Sequence, residues 1–290
     1  MSARHDAEVL VLDDGRRLGY AEHGRRDGEP FFYFHGHPGC RLEASFAEAA
    51  AAQENVRIVA LDRPGYGLSD FKPHRTMLDW PDDVREAADL LHIDRFSVVG
   101  ASAGGPYALA CAYRLPQRIV RAAVLSGVGP YGVPGITQGM RWQNRVGLQW
   151  AGRMPALAGL MMRSMHRGIR RRPARTIEAL ARAMSAVDAG IVLRPDVREI
   201  LIADLVEAFR QGSRGAAADL VLLGRPWGFS LQDVKTPVYL WQGEADVLVP
   251  PAMGRYQAAQ IPNCRAHFLA GEGHLLVINH ILDVIRTLCE

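Results

Sequence analysis

Lysine is almost missing from the 290-residue chain: Lys72 and Lys235 stand against 32 arginines. Basic side chains total 34 against 31 acidic ones, so the formal net charge is only +3, far from the excess of a nucleic-acid-binding surface. We read the arginine preference as codon bias of a GC-rich genome. Cysteine is scarce too. Cys40, Cys111, Cys264 and Cys289 lie far apart, without a CxxC pair or a disulfide framework, a pattern suited to a reducing cytosol. No stretch approaches the ~18 apolar residues of a membrane span. The opening MSARHDAEVLVLDDG is charged and lacks the apolar stretch of a signal peptide. Repeats, low-complexity tracts and obvious linkers are absent as well. The expectation is a soluble cytoplasmic protein with no membrane span and no nucleic-acid partner; a homodimer is left open.

What is present is an ordinary globular balance, 48% hydrophobic and 22% charged residues, in a chain long enough for one large core. Two strand-like runs, 8–12 and 17–22, flank Asp13-Asp14-Gly15, a hairpin signal. Continuous apolar runs at 31–34, 57–61, 96–99 and 120–125 read as strands buried on both faces of a parallel sheet. Helical stretches at 42–53, 77–91 and 106–113 separate them. The rhythm then stops, and the chain up to Trp227 reads as helical throughout, with one helix over 176–189. A second helix, opened by an Asp196-x-x-Glu199 capping box, runs to Gln211 and stops at Gly212. Strands and helices resume at 238–241, 253–260 and 266–269. The architecture expected is α/β: residues 1–130 and 230–290 form the core, and 131–229 form an inserted all-helical cap.

Chemistry concentrates after the strand-like runs. Gly100-Ala-Ser102-Ala-Gly104 follows one run and opens a helix, the setting of a G-x-S-x-G turn. That turn strains the backbone at Ser102, lifts its hydroxyl above the sheet edge and places the N–H of Ala103 at a helix start. An oxyanion hole needs a second donor. In His35-Gly36-His37-Pro38-Gly39 the His37 amide can supply it, whereas Pro38 has no N–H; the His37 side chain reads equally as pocket or packing. In Asp62-Arg-Pro-Gly-Tyr-Gly-Leu-Ser69, Asp62 and Arg63 read as loop-stabilising partners. A serine needs a base and an orienting acid. His274 in Gly271-Glu-Gly-His274 and Asp246 in Gly243-Glu-Ala-Asp246 both follow late strands, at the edge where open α/β sheets build sites. Glu244, His267 and His280 are weaker rivals.

Four motifs in order, HGHPG, DRPGYGLS, GASAGG and GEADVLVP…GEGH, resemble those of the α/β-hydrolase fold superfamily, in its serine-nucleophile, esterase-like branch, over nearly the whole chain outside the cap. The order Ser102, Asp246, His274 matches that family's. The resemblance implies a mostly parallel eight-stranded sheet with the cap inserted after the sixth strand. Dehalogenases and epoxide hydrolases of this fold carry aspartate where this chain has Ser102, and proline iminopeptidases have tryptophan where it has Ala103, so both activities are disfavoured.

Residues 127–230 hold fifteen arginines and seven acids, net +8, which leaves −5 for the remainder. The six arginines from Arg163 to Arg175 read as a solvated face, with anion binding as the alternative. Six of nine methionines also fall there, together with Trp142, Trp150 and Trp227, suited to an adaptable apolar wall or to helix packing. The function expected is serine hydrolysis of a carboxylic ester of a small or medium, largely apolar substrate through an acyl-enzyme, without cofactor or metal. Ser102, Asp246 and His274 are its catalytic residues, and the amides of His37 and Ala103 its oxyanion hole. Carbon–carbon bond, lactone, thioester or perhydrolase chemistry on the same triad is the alternative within enzymes. A slow-turnover ligand-binding signalling protein is the alternative outside them.

Overall fold

The described residues form eight strands, several of them runs of β-branched and aromatic residues: β1 (Glu8–Val11), β2 (Arg17–Gly24), β3 (Glu29–Phe34), β4 (Val56–Leu61), β5 (Phe96–Ala101), β6 (Ile119–Leu125), β7 (Val238–Gly243) and β8 (Cys264–Leu269). The structure, a computed structural model, describes residues 8–290; the start of the charged N-terminal stretch, residues 1–7, lies outside the described residues. The strands make one sheet in the order β1-β2-β4-β3-β5-β6-β7-β8. The β1–β2 hairpin is antiparallel, as Asp13-Asp14-Gly15 leads one to expect, and β2 meets β4 antiparallel; every later pair is parallel.

Helices α1 (Glu48–Gln53), α2 (Trp80–Leu90) and α3 (Gly104–Arg114) lie between the early strands. Six more fall between β6 and β7: α4 (Trp142–Ala151), α5 (Pro155–Arg171), α6 (Pro173–Arg182), α7 (Ala186–Val192), α8 (Pro195–Ala208) and α9 (Arg214–Leu223). Then come α10 (Pro251–Gln260) and α11 (Leu276–Cys289). Alternate residues of one strand face opposite layers. Phe32 and Phe34 pack with Trp80, Val84 and Tyr107, whereas Phe31 and Tyr33 pack with Ala47, Ala51, Leu276 and Val284. Helices on both faces explain why these runs are continuous and not alternating. A third cluster, including Met162, Ile177, Leu205 and Phe209, lies in the helical insert and takes in Cys40 and Tyr66 from the sheet's loops. No helix among the described residues is long and apolar enough to cross a membrane.

The insert departs from its sequence reading at four places. Residues 127–141 are turns and irregular chain, because Gly127, Gly129, Pro130, Gly132, Pro134, Gly135 and Gly139 deny the segment a helix. The apolar stripe across 176–189 belongs to two helices. Ser185 adopts an extended backbone and caps α7 by accepting from the Asp188 N–H, so a new helix starts inside the periodic pattern. Asp196 and Glu199 form no capping box. Pro195 opens α8 after Arg194, and Asp196 pairs with Arg194 at 2.7 Å. The helix ends at Ala208, four residues before Gly212.

Candidate active site

The turn after β5 is built by close approach. A Cβ added to Gly104 would sit on the Phe34 carbonyl oxygen, and one on Gly100 would sit on the Gly104 carbonyl oxygen, so neither position accepts a side chain. Between them Ser102 takes φ +52°, a left-handed conformation that costs a non-glycine residue about 1–2 kcal/mol. Ser102 N–H donates to Leu125 O at 2.8 Å, tying the turn to the end of β6.

His274, in the loop between β8 and α11, meets both partners anticipated for it. Its Nε2 lies 3.0 Å from Ser102 Oγ and its Nδ1 lies 2.7 Å from Asp246 Oδ2. Asp246 is 2% exposed. Its Oδ1 accepts from the amides of Leu248 (2.8 Å) and Val249 (2.9 Å), and Gln242 Nε2 donates to its Oδ2 at 3.3 Å. Burial works against a charged imidazole, but the charge and hydrogen bond of Asp246, with the charges of Asp188 and Glu43, overcome it and raise the His274 pKa. The rivals stand elsewhere: Glu244 pairs with Arg255 at 2.8 Å, His267 stacks on Trp241, and His280 pairs with Glu272 at 3.1 Å.

The two anticipated amides are oriented by what holds the opposite side of each peptide. Gly36 O accepts from Arg63 (2.8 Å) and from His35 Nδ1 (2.8 Å), so the N–H of His37, in the same trans peptide, points the other way. Ser102 O accepts from Gly105 N–H (3.1 Å) and Val128 N–H (3.0 Å), and the Ala103 N–H again faces the opposite side. Among the described residues neither amide donates to another protein group, while the Gly36 N–H is taken by Glu43 at 2.8 Å. The His37 ring lines the cavity and packs as well: its Nδ1 lies 2.8 Å from Tyr66 Oη, and burial keeps it neutral with a pKa lowered to about 4.

Asp62 and Arg63 stabilise loops, as expected. Asp62 binds the Arg41 guanidinium and the amides of Arg41 and Leu68. Arg63, wholly buried, holds the carbonyls of His35 and Gly36 and pairs with Asp219 of α9 at 2.7 Å. Burial opposes the Asp219 charge, but Arg63 and Arg75 win and hold its carboxyl far below the usual range.

A cavity of about 250 Å³ opens on Ser102 and His274. Its wall is mainly apolar, with Phe46, Met165, Ile177, Met184, Leu205 and Ile278 among the lining residues. Met165 and Met184 are the methionines of the insert that reach it. Trp142, 70% exposed, and Trp150 stay at the surface, and Trp227 packs into the core beside the sheet. No arginine is among the described residues that line the cavity; Arg163, Arg167, Arg170 and Arg171 surround a separate surface depression.

A family model described as the alpha/beta hydrolase fold matches residues 29–281. The chain belongs to this family. A haloalkane dehalogenase of Psychrobacter cryohalolentis is 30% identical over 150 residues, 48% of each chain. The matched stretch spans about half or less of the length of such curated relatives. Two solved structures share the whole fold. A hydrolase from Pseudomonas aeruginosa PA01 has a TM-score of 0.72 at 18% identity, covering 99% of both chains. The esterase RhEst1 from Rhodococcus sp. ECU1013 has a TM-score of 0.69 at 19% identity, covering 97% of both.

In this hydrolase-fold chain three further carboxylates reach the site, and sequence reading passed over them. Glu43 and Asp204 line the cavity, and Asp188 Oδ1 accepts from the Leu275 N–H at 2.8 Å, one residue past His274. A signal for Asp204 was available: it lies within the apolar stripe of Leu201 and Leu205, where a charge has no place on a merely solvated helix.

Proposed function

We propose that this protein is a serine hydrolase that cleaves a carboxylic ester of a small or medium, largely apolar acyl group. The observation that carries the reading is the continuous hydrogen-bonded line Ser102 Oγ–His274–Asp246, at 3.0 and 2.7 Å, at the floor of an apolar cavity.

His274 Nε2 takes the Ser102 proton as Oγ attacks the ester carbonyl. Asp246 fixes the Nδ1–H tautomer and stabilises the imidazolium. The amides of His37 and Ala103 receive the developing oxyanion. His274 returns the proton to the leaving alcohol, and water activated by the same imidazole then cleaves the acyl-enzyme. Serine at the elbow supports an acyl-enzyme over the alkyl-enzyme route of aspartate-bearing relatives. Residues 131–229 act as the cap that walls the acyl site, over a core made of 1–130 and 230–290.

A fluorophosphonate probe tests the reading. One equivalent should label Ser102 and abolish hydrolysis of p-nitrophenyl butyrate and hexanoate. Failure to label, or labelling that persists in Ser102→Ala, overturns it.

A further inference from the structure

Glu43, on the short 3-10 helix Arg41–Ala47, and Asp204, on α8, bring two carboxyl groups to the same part of the cavity. Gly36 and Gly39 mark their positions. A carbon added to Gly36 would lie 3.2 Å from Glu43 Oε2 and 3.6 Å from Ser102 Cβ. One added to Gly39 would lie 2.8 Å from Glu43 Oε2 and 3.3 Å from Asp204 Oδ2. Glu43 is therefore close to the serine on one side and to Asp204 on the other.

Their partners are unequal. Glu43 accepts twice, from Tyr33 Oη at 2.7 Å and from the Gly36 N–H at 2.8 Å. Both bonds stabilise its ionised form against the burial that raises its pKa above the ordinary carboxylate value. Asp204 Oδ1 accepts once, from the Cys40 N–H at 2.9 Å. Its backbone carbonyl accepts from Cys40 Sγ at 3.4 Å, and Oδ2 has no hydrogen-bond partner among the described residues, although the residue is 2% exposed and lines the cavity. Two adjacent buried carboxyls do not ionise together, and the one with fewer donors keeps the proton. Burial first, then the charges of Glu43 and Asp62, push Asp204 well above the usual carboxylate range. The cations nearby are committed elsewhere: Arg41 to Asp62 and Glu207, and Arg63 to Asp219.

We infer that Asp204 is a specificity-determining residue whose free Oδ2 hydroxyl donates a hydrogen bond to an oxygen atom carried on the acyl chain of the substrate. The preferred substrates are then acyl esters with an ether, keto or hydroxyl oxygen some bonds beyond the scissile carbonyl, not plain hydrocarbon chains. Glu43 keeps that proton on Asp204 by holding the negative charge itself.

The inference rests on reading the cavity as the acyl site, so its test uses equilibrium binding and not turnover. In the full-length Ser102→Ala protein, calorimetry measures Kd for ethyl hexanoate and for isosteres in which an ether oxygen replaces one methylene at successive positions. One isostere should bind about tenfold tighter than ethyl hexanoate, the worth of one well-placed hydrogen bond. The preference should survive Asp204→Asn, whose amide N–H still donates, and vanish in Asp204→Leu. Equal binding of all isosteres overturns the inference even if Asp204→Leu does not fold, and so does a preference that persists in Asp204→Leu. A tighter-binding amine-bearing analogue overturns it in favour of a cation site. Absent fluorophosphonate labelling would instead count against the hydrolase reading alone.

Discussion

Asp188, on a helix of the insert, accepts a hydrogen bond from the amide of Leu275, the residue that follows His274. Ser185 Oγ donates to its other oxygen at 2.6 Å, and a Cβ added to Gly273 would collide with the same carboxylate, so the residues on both sides of His274 are packed against Asp188. In the proposed mechanism Asp188 acts as a positioning residue for His274. Asp188→Ala should lower kcat by up to ~100-fold, as small displacements of a catalytic group do, with KM little changed. Asp188→Asn, which can still accept from Leu275, should retain most of the rate. Equal losses in both variants would indicate that charge, not position, is the contribution.

The pH profile carries a definite sign. In the proposed mechanism His274 must be neutral to accept the Ser102 proton, so kcat/KM should rise as pH passes through its titration. Its pKa is raised, burial being outweighed by Asp246, Asp188 and Glu43, which puts the midpoint above the ordinary 6.5. Asp246→Asn should move the midpoint down and slow turnover by about 10⁴-fold. A wild-type midpoint below 6.5 would contradict the arrangement.

Strain at Ser102 separates stability from activity. Both Ser102→Gly and Ser102→Ala remove the hydroxyl, but only glycine is at ease at φ +52°. Ser102→Gly should therefore be more stable than Ser102→Ala by about 1–2 kcal/mol. Denaturant titration of the two variants measures the difference.

Asp219 lies between Arg63 and Arg75 and also accepts from Tyr107 Oη at 2.6 Å, all four side chains being buried. Asp219→Asn leaves two guanidinium groups without their counter-charge and should cost about 3–5 kcal/mol. Because the folded pKa is depressed, the contribution is complete above the carboxylate's ordinary 3.8 and is lost as pH falls towards the folded value. The variant and the wild type should accordingly converge in acid. A constant gap down to that range would point to lost packing instead.

The sheet and the line Ser102–His274–Asp246 were legible because each rests on local pattern: a continuous apolar run, then a loop carrying one reactive residue. Asp188, Asp204 and Asp219 were not. Their partners lie 87, 164 and 156 residues away, at Leu275, Cys40 and Arg63, and no helical period encodes a contact of that range. Each interrupts an otherwise apolar neighbourhood, Val187, Leu205 and Leu220 respectively, and that local discord was the available trace. The helix boundaries failed for a related reason. A stripe such as 176–189 records which face is buried, not whether the backbone stays helical between its members.

The Arg63 guanidinium, bound to the Gly36 carbonyl, has an electronic consequence. A cation on a carbonyl oxygen withdraws density through the amide and makes the N–H at the opposite end a stronger donor. That N–H belongs to His37. The counter-ion holding Arg63 in place is Asp219, from the helical insert, so the acidity of an amide in the core is tuned from outside the core. A version of this protein trimmed to its sheet and flanking helices would keep its serine, histidine and aspartate yet lose the counter-ion that holds Arg63 on the peptide of the His37 amide.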